Sequence, residues 1–353
     1  MNNNAHTPKK VVTFGEIMLR LTAPRVQRFP QANCFLANYG GSEANVAVSL
    51  ATFGIPTEFV TRLPDNAIAR ACVDSLRSYG LGTEGIIYGG KRLGIYYLES
   101  GAAFRGSDVV YDRDDSAFTT LQPGMIDWRS IFADAGWFHW SGIAAALTQG
   151  TADVCMEALQ TAREMGLTIS CDLNFRKKLW NYGRSAKEVM RPLVAFSDVV
   201  FGAAPEYKEI LGVDSPDFKA VDTDYRLDLA GYEEFGKQVC AQVPHCKKVF
   251  LELRNTVSAN HNLLAAVLHS DGELKHTRIY DIVDEVDRLG TGDAFVAGMI
   301  YGLLRYPDDD QQALEFALAA STLKNTIYGD FNLSTVEEVE SLMAGNTSGR
   351  IAR

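Results

Sequence analysis

Residues 290–293 read Gly290-Thr291-Gly292-Asp293, and an apolar run at 294–300 follows them directly. The apolar run predicts a buried helix that begins beside the two glycines. Glycines let the backbone approach a ligand closely, and the N–H groups at a helix start favour negative charge. The stretch therefore predicts a phosphate cradle. Asp293 is either a base beside that cradle or an ordinary helix cap.

A second pair of glycines, Gly40 and Gly41, stands at another predicted helix start, with Asn45 in the first turn. Taken alone, this loop is as consistent with a tight turn capped by Ser42 as with a ligand site. Two such loops, one near each end of the chain, are a much more specific pattern. Together they favour a site built from both.

Composition and charge exclude several classes of protein. The chain has 353 residues, 46% of them hydrophobic, and a formal net charge of −10. Such a charge argues against a nucleic-acid-binding protein or one that binds anionic membranes. The six cysteines form no Cys-x-x-Cys pair, which predicts reduced thiols rather than a zinc site. Without a signal peptide or a membrane-length apolar run, we expect a cytoplasmic protein with no nucleic-acid or membrane partner.

Strand and helix patterns alternate along most of the chain. Short runs rich in β-branched or aromatic residues, typical of strands, lie at 11–18, 58–61, 136–140, 167–172, 198–201 and 249–253. Helical patterns lie at 43–53, 67–79, 148–165, 186–196, 293–304 and 311–328. This alternation predicts an α/β fold with a mainly parallel central sheet covered by helices on both faces.

Two stretches, near residues 18–39 and 88–112, do not follow this alternation. The second is rich in tyrosine, valine and glycine and reads as a β-hairpin. We interpret the two stretches as a small accessory sheet that forms a lid. We expect a single domain over residues 9–345, with tails at 1–8 and 346–353.

The chain lacks the motifs that are typical of other α/β enzyme classes. No Gly-x-Gly-x-x-Gly follows the first strand, and the chain has neither a P-loop nor a Gly-x-Ser-x-Gly elbow. These absences argue against a nicotinamide dehydrogenase, a P-loop kinase and an α/β-hydrolase. His139 is predicted to be a buried strand residue rather than a catalytic one.

Over nearly its full length, the chain resembles the ribokinase-like (PfkB) carbohydrate kinases. Their N-terminal signature, Gly-Gly-x-x-x-Asn, matches Gly40, Gly41 and Asn45. Their C-terminal signature, Asp-Thr-x-Gly-Ala-Gly-Asp, reads Asp-Arg-Leu-Gly-Thr-Gly-Asp at residues 287–293. The resemblance implies a ribokinase-like three-layer sandwich with a β-sheet lid over the sugar.

The resemblance also implies roles for individual residues. ATP and Mg²⁺ are the expected cofactors, and Asp293 is the expected catalytic base. The backbone at Gly290, Thr291 and Gly292 is expected to form an anion hole. The adenine is expected to lie near Asn325.

Within this family, the chain most resembles the 2-keto-3-deoxygluconate kinases. This resemblance rests on the segments around Tyr96, Tyr111 and Arg113, on the strand-end motif that contains Arg176, and on the segment 329–333 that follows a long predicted helix. A guanidinium can bind a sugar-acid carboxylate through two hydrogen bonds, and the tyrosines can supply hydroxyls and an apolar wall. The alternative is that both arginines lie in charged surface runs.

The chain departs from the family pattern at several positions. Arg288 replaces the signature threonine, and Thr291 replaces the alanine but keeps its backbone N–H. Many members carry an Asn-x-x-Glu motif that organises the metal and the phosphates. Here the asparagine is missing, so Glu206 and Glu209 are either water-mediated metal contacts or surface acids. The sequence therefore assigns no residue as a metal ligand.

The expected function is ATP-dependent phosphorylation of the C6 hydroxyl of 2-keto-3-deoxygluconate, the sugar acid being the small-molecule partner. One alternative is a kinase for a neutral sugar such as fructose. The other is a non-catalytic sensor of a sugar acid or a nucleotide. The lid strands have unpaired edges, which predicts a homo-oligomer formed through the lid.

Overall fold

A computed structural model describes residues 9–347 of the chain. The predicted tail 1–8 and most of the predicted tail 346–353 lie outside the described residues. The strands are β1 (Lys10–Phe14), β2 (Met18–Thr22), β3 (Leu36–Gly40), β4 (Thr57–Leu63), β5 (Ile86–Tyr88), β6 (Gly94–Glu99), β7 (Asp108–Asp112), β8 (Ala135–Ser141), β9 (Thr168–Asp172), β10 (Val199–Gly202), β11 (Lys248–Ser258), β12 (His261–Ser270), β13 (Glu273–His276) and β14 (Tyr280–Ile282). The helices are α1 (Ser42–Thr52), α2 (Ala67–Ser78), α3 (Trp128–Ile131), α4 (Gly142–Ala146), α5 (Gln149–Glu164), α6 (Ala186–Val194), α7 (Ala204–Leu211), α8 (Leu229–Gln242), α9 (Thr291–Arg305), α10 (Asp310–Lys324) and α11 (Val336–Met343).

The central sheet of the described chain has ten strands, in the order β13-β12-β11-β10-β9-β8-β1-β4-β5, with β14 beside β12. From β11 to β5 every neighbouring pair is parallel. Strand β12 instead pairs antiparallel with β11, β13 and β14. The predicted α/β fold with a mainly parallel central sheet is therefore confirmed.

Successive residues of the central strands face two different cores, which makes the fold three-layered. Val12 and Val200 belong to the core that helices α3–α8 cover. Val11 and Phe250 belong to the core that helices α1, α9, α10 and α11 cover. Because both faces of the strands are buried, apolar residues stand at successive positions, as in Val11-Val12 and Val199-Val200-Phe201, which is expected for a parallel sheet.

A second sheet of four strands, in the order β3-β2-β6-β7, forms the predicted accessory sheet. Strands β6 and β7 pair antiparallel, which confirms the predicted hairpin. Strand β2 joins β3 antiparallel and β6 parallel, so the two stretches predicted as lid segments form one sheet.

The chain passes from the central sheet to the lid within the predicted strand 11–18. Strand β1 ends at Phe14 and β2 begins at Met18, so the prediction of one continuous strand is wrong. Between them, the Glu16 carboxylate accepts hydrogen bonds from Arg113 Nε at 2.9 Å and from Ser116 Oγ at 2.5 Å. These buried partners hold the segment between the two sheets.

Several other element predictions need correction. The helix predicted at 311–328 ends at Lys324, where Asn325 is the C-cap. Helix α8 was not predicted, although Tyr232, Phe235 and Val239 recur at helical spacing on its buried face. Strand β12 was also missed. No helix within residues 9–347 combines the length and the apolar character needed to cross a bilayer.

Candidate active site

Two adjoining cavities open where the parallel strands end and helix α9 begins. The larger, about 480 Å³, is lined by the loop of residues 290–292 among others, and we call it the large cleft. The smaller, about 120 Å³, is lined by Gly40, Gly41 and lid residues, and we call it the small pocket. Asp293 lines both cavities, so its carboxylate stands at their boundary.

Asp293 is fixed by two hydrogen bonds from helix α1. Its Oδ1 accepts from Ser42 Oγ at 2.7 Å, and its Oδ2 accepts from Asn45 Nδ2 at 2.7 Å. Burial raises the pKa of Asp293, whereas these two hydrogen bonds and the positive charge of Arg176 oppose that rise. The arrangement orients a carboxylate that can accept a proton from a ligand hydroxyl.

The glycine pair brings helix α1 close to its neighbours. A Cβ on Gly41 would lie 2.0 Å from the Glu16 carbonyl oxygen, and a Cβ on Gly40 would lie 2.2 Å from Asp330 Oδ1. Gly41 is the N-cap of α1, so the alternative that Ser42 caps this helix is wrong. Ser42 is instead the first helical residue, and its hydroxyl is directed at Asp293.

Asn174 extends this network beyond Ser42. Its backbone is left-handed, with φ of 37°, and its Nδ2 donates to Ser42 Oγ at 2.9 Å and to Asp172 Oδ2 at 3.2 Å. The Asn174 Oδ1 is buried and has no partner among residues 9–347. Because Asn174 lines both cavities, this oxygen is available to a ligand hydroxyl.

The loop before helix α9 has the geometry of an anion-binding turn. Gly290 is left-handed, with φ of 81°, and a Cβ there would lie 1.9 Å from the Asp330 carbonyl oxygen. A Cβ on Gly292 would meet no atom nearer than Glu252 Oε2 at 3.9 Å, so the missing side chain leaves open space at the helix start. The first N–H groups of a helix lack partners within the helix and can bind an anion there.

Three more carboxylates, those of Asp172, Glu206 and Glu252, line the large cleft. Burial and the negative charge of Glu206 raise the pKa of Asp172 well above its usual range, and burial also raises the pKa of Glu206. Glu206 Oε2 accepts a hydrogen bond of 2.8 Å from the Ala203 N–H. Within the described residues, no three His, Cys, Asp or Glu side chains are grouped to hold a metal ion.

The two predicted sugar-acid arginines have different surroundings. Arg113 is buried and bound through Nε and Nη2 to Glu16 Oε2, so its charge is already balanced. Arg176 is exposed, lines both cavities and has no side-chain hydrogen bond or ion pair within residues 9–347. Of the two, Arg176 is the guanidinium free to bind a carboxylate.

Tyr96 belongs to a buried network that ties the lid to the central domain. Arg20 Nη1 donates to Asp330 Oδ2 and Arg20 Nη2 donates to Asp287 Oδ2, each at 2.6 Å. The Tyr96 hydroxyl donates to the other Asp330 oxygen. Arg20 and Tyr96 come from the lid, whereas Asp287 and Asp330 flank the loop at Gly290. Tyr96 also lines the small pocket.

Tyr111 and Asn325 occupy contrasting positions. Tyr111 is 42% exposed, lines both cavities and packs over the Arg113 guanidinium, 5.6 Å from ring centroid to Cζ. Asn325 is fully buried, and its Nδ2 donates to the Ser321 carbonyl at 2.8 Å. It is not among the residues that line the large cleft, so the structure does not bring this predicted nucleotide residue to the site.

The sequence did not indicate that Ser42 donates a hydrogen bond to Asp293, and it indicated no role for Asn174 or Asp330. All three lie inside segments that the motif comparison had already singled out, at the second glycine loop, the Arg176 motif and the segment after α10. Their position within those segments was the only feature of the sequence that could have identified them. Their partners across the site, Asp293 for Ser42, Ser42 for Asn174 and Arg20 for Asp330, are remote in sequence and could not be read from it.

An anion-binding helix start, a fixed carboxylate and a second pocket beneath a lid define a phosphotransferase that acts on a small hydroxylated acceptor. The family model "pfkB family carbohydrate kinase" matches residues 8–235 and 264–333. The chain therefore belongs to the pfkB family of carbohydrate kinases, and the predicted family is confirmed.

Individual relatives agree with this assignment. The chain is 32% identical to a 2-dehydro-3-deoxygalactonokinase of Haloferax volcanii, over 96% of this chain and 98% of the relative. It is 40% identical to the solved 2-dehydro-3-deoxygluconokinase of Thermotoga maritima, with a TM-score of 0.88 over 96% of this chain and 100% of that one. An Escherichia coli ribokinase II, solved with ATP and Mg²⁺, shares the fold at 21% identity and a TM-score of 0.76, over 96% of this chain and 99% of that one.

Proposed function

We propose that this kinase transfers the γ-phosphoryl group of ATP to the C6 hydroxyl of 2-keto-3-deoxygluconate. The observation that carries the proposal is the position of Asp293, at the boundary between the large cleft and the small pocket. The names of the relatives at 40% and 32% identity support a 2-keto-3-deoxy sugar acid as the acceptor.

In this mechanism the large cleft takes the nucleotide and the small pocket takes the sugar acid. The oxygen of the C6 hydroxyl attacks the γ-phosphorus, and its proton passes to Asp293. The bond between the γ-phosphorus and the bridging oxygen breaks, and ADP leaves. The first N–H groups of α9, beside Gly290 and Gly292, stabilise the charge of the transferred group.

Ser42 and Asn45 support the base in two ways. Their hydrogen bonds fix the carboxylate direction, and they stabilise its charged form against burial. Asn174 Oδ1, buried without a partner among the described residues, accepts a hydrogen bond from an acceptor hydroxyl. The lid over the small pocket excludes water and so limits hydrolysis of ATP.

The cleft also suits a magnesium ion carried by the nucleotide. Mg²⁺ commonly binds one or two carboxylates together with substrate phosphates, so a cluster of three protein ligands is not required. Asp172 and Glu206 are the residues that would face it, since both carboxylates line the large cleft and burial disfavours their charged forms, a cost that a cation would offset. The ion would neutralise phosphate charge during transfer.

Arg176 is the proposed contact for the sugar-acid carboxylate. It lines the small pocket, carries an unpaired charge within residues 9–347 and lies near Asp293. A guanidinium there favours an acid over a neutral sugar.

The test is ADP release with MgATP and a panel of acceptors: 2-keto-3-deoxygluconate, gluconate, fructose, ribose and adenosine. We expect turnover with the keto-deoxy acid and none above background with the neutral sugars. Turnover with fructose alone would retain the kinase and reject the acid specificity. ATP binding with no turnover on any acceptor would support the sensor alternative.

A second candidate substrate is 2-keto-3-deoxygalactonate, which differs in configuration at one carbon. The name of the Haloferax volcanii relative favours it. The same assay, run with both epimers at equal concentrations, gives the ratio of their kcat/KM values and so decides between them.

The cytoplasmic location, the single domain at 9–345 and the homo-oligomer formed through the lid stay predictions. Strands β3 and β7 are the edges of the lid sheet, and Leu36 and Val110 on them are 45% and 47% exposed. Sedimentation of the purified protein tests the oligomer, and a monomer at working concentration would reject it.

A further inference from the structure

Two arginines line the large cleft beside the loop of residues 290–292, and the catalytic steps described above do not use them. Arg254 lies on β11, and Arg288 lies two residues before Gly290. Arg288 stands where the family signature has threonine, so this cation is a property of this chain rather than of the motif it resembles.

Arg254 is held at the start of helix α9. Its Nη2 donates a hydrogen bond of 2.8 Å to Thr291 Oγ1 and lies 3.6 Å from Glu252 Oε1. Glu252 Oε1 also accepts from Ser321 Oγ at 3.1 Å. The guanidinium is therefore fixed beside the predicted anion hole by one neutral bond and one long ion pair.

Arg288 is half-buried and makes no side-chain hydrogen bond or ion pair within the described part of the chain. The acid that attracts it is Glu285, whose Oε2 already accepts a hydrogen bond of 2.6 Å from Asn262. Burial lowers the pKa of Arg288, and the positive charge of Arg254 lowers it further. Two guanidiniums are thus held near one another, and among the described residues only Arg254 has a carboxylate within ion-pair distance, that of Glu252. An anion stabilises such a pair of like charges.

We propose that Arg254 and Arg288 together bind the phosphate chain of the nucleotide, beside the loop of residues 290–292. This inference rests on the proposed function, in which the large cleft takes ATP. Both arginines line the large cleft, and neither lines the small pocket, where Arg113 and Arg176 lie. The pair is therefore assigned to the donor and not to the sugar-acid carboxylate.

The chemistry of transfer gives the pair a second effect. As the bond from the γ-phosphorus to the bridging oxygen breaks, both of its electrons stay with the leaving ADP, whose β-phosphate gains negative charge. Two guanidiniums on the phosphate chain stabilise that charge, and bidentate contacts to phosphate are a geometry that arginine favours. They supply positive charge in a cleft that lacks the asparagine of the Asn-x-x-Glu motif found in many family members.

The test is the Arg288→Gln variant, studied by calorimetric titration with ADP in the presence of Mg²⁺. We expect the Kd for ADP to rise about 10- to 100-fold, the usual effect of losing hydrogen bonds to a charged group. The KM for the sugar acid should stay unchanged, and kcat should fall. Arg129→Gln, which removes an exposed arginine on α3, is the matched control and should leave ADP affinity unchanged.

Arg254→Gln provides a second variant. In the double variant, the rise in the Kd for ADP should be smaller than the product of the two single rises, because both side chains bind the same phosphate chain. Unchanged ADP affinity in Arg288→Gln, with its thermal midpoint retained, would overturn the proposal while leaving the kinase assignment intact. A raised sugar-acid KM with normal ADP affinity would assign Arg288 to the acceptor and also overturn it. Failure of the wild-type protein to bind ADP would reject the proposed function itself.

Discussion

Asn45 donates a hydrogen bond of 2.7 Å to Asp293, although 248 positions separate the two residues in the chain. The bond joins the first turn of α1 to the first turn of α9. The two glycine-containing loops that the sequence singled out are therefore parts of one site, and the carboxylate of Asp293 cannot turn without breaking bonds to α1.

Removal of the Ser42 hydroxyl should shift the pH dependence of the reaction. The hydrogen bond from Ser42 stabilises the charged form of Asp293, so its loss raises the pKa of that carboxyl. In Ser42→Ala, the acid limb of the kcat/KM profile should therefore move to higher pH. Thr52→Ala, on the same helix and bonded only to the Val48 carbonyl, is the control. An acid limb that coincides with that of the wild type would contradict this role.

Arg176 and Arg113 both line the small pocket, but substitution of the first should weaken substrate binding, whereas substitution of the second should lower stability. Arg176→Gln should raise the KM for the sugar acid by about 10-fold or more, because an unpaired guanidinium is lost. Arg113→Gln should chiefly lower the free energy of unfolding, because it leaves Glu16 buried without its cation. Steady-state kinetics and denaturant titration measure the two effects. Equal KM values in wild type and Arg176→Gln would reject the carboxylate contact.

Glu43 should make stability fall as pH rises. Burial raises its pKa to about 7 from the usual 4.5, with Ser141, Asp293 and Arg113 as its polar or charged neighbours. Between these values the folded chain keeps a proton that the unfolded chain has released, so the free energy of unfolding decreases with pH. The loss is up to about 3 kcal/mol and is complete above the folded pKa.

Glu43→Gln has no charge to bury and should lack this decrease, while keeping an acceptor for the Ser141 hydroxyl. Urea titrations of both proteins at pH 5 and pH 8 measure the difference. The same change in unfolding free energy for variant and wild type would show that Glu43 is ionised in the folded protein at both pH values.

Asp330→Asn should destabilise the protein through Arg20. Arg20 is fully buried and donates hydrogen bonds to Asp330, Asp287 and Thr22, so the variant leaves it with one carboxylate. Breaking a buried ion pair costs roughly 3 kcal/mol or more. Glu164→Gln, which breaks an exposed pair with Arg129, should cost less than about 1 kcal/mol. Similar denaturation midpoints for the two variants would contradict a structural role for Arg20.

The sequence was sufficient where local pattern determines structure. The loop of residues 290–293 could be placed because glycines, an acid and an apolar run stand at adjacent positions. The lid could be recognised because segments 18–39 and 88–112 break the strand–helix alternation. The position of Asp293 in the first turn of a helix could be predicted from the same pattern, whereas its role as the base follows from the family resemblance and stays a prediction.

Interactions between remote residues could not be read from the sequence. Arg20 lies 310 positions from Asp330, and neither residue has a local pattern that indicates a buried ion pair. Asn174 takes a left-handed backbone conformation, and no glycine stands beside it in the sequence to indicate a turn there. Arg113 looked like a substrate contact, yet its partner Glu16 lies in a segment predicted as regular strand. These positions depend on tertiary packing.

Asp293→Asn measures the central claim most directly. The amide keeps the size of the side chain but cannot accept the proton, so kcat should fall by at least about 100-fold. The affinity for ADP should remain close to that of the wild type, because Asp293 acts on the acceptor and not on the phosphate chain. Near-normal turnover of the Asp293→Asn variant would contradict its role as the catalytic base.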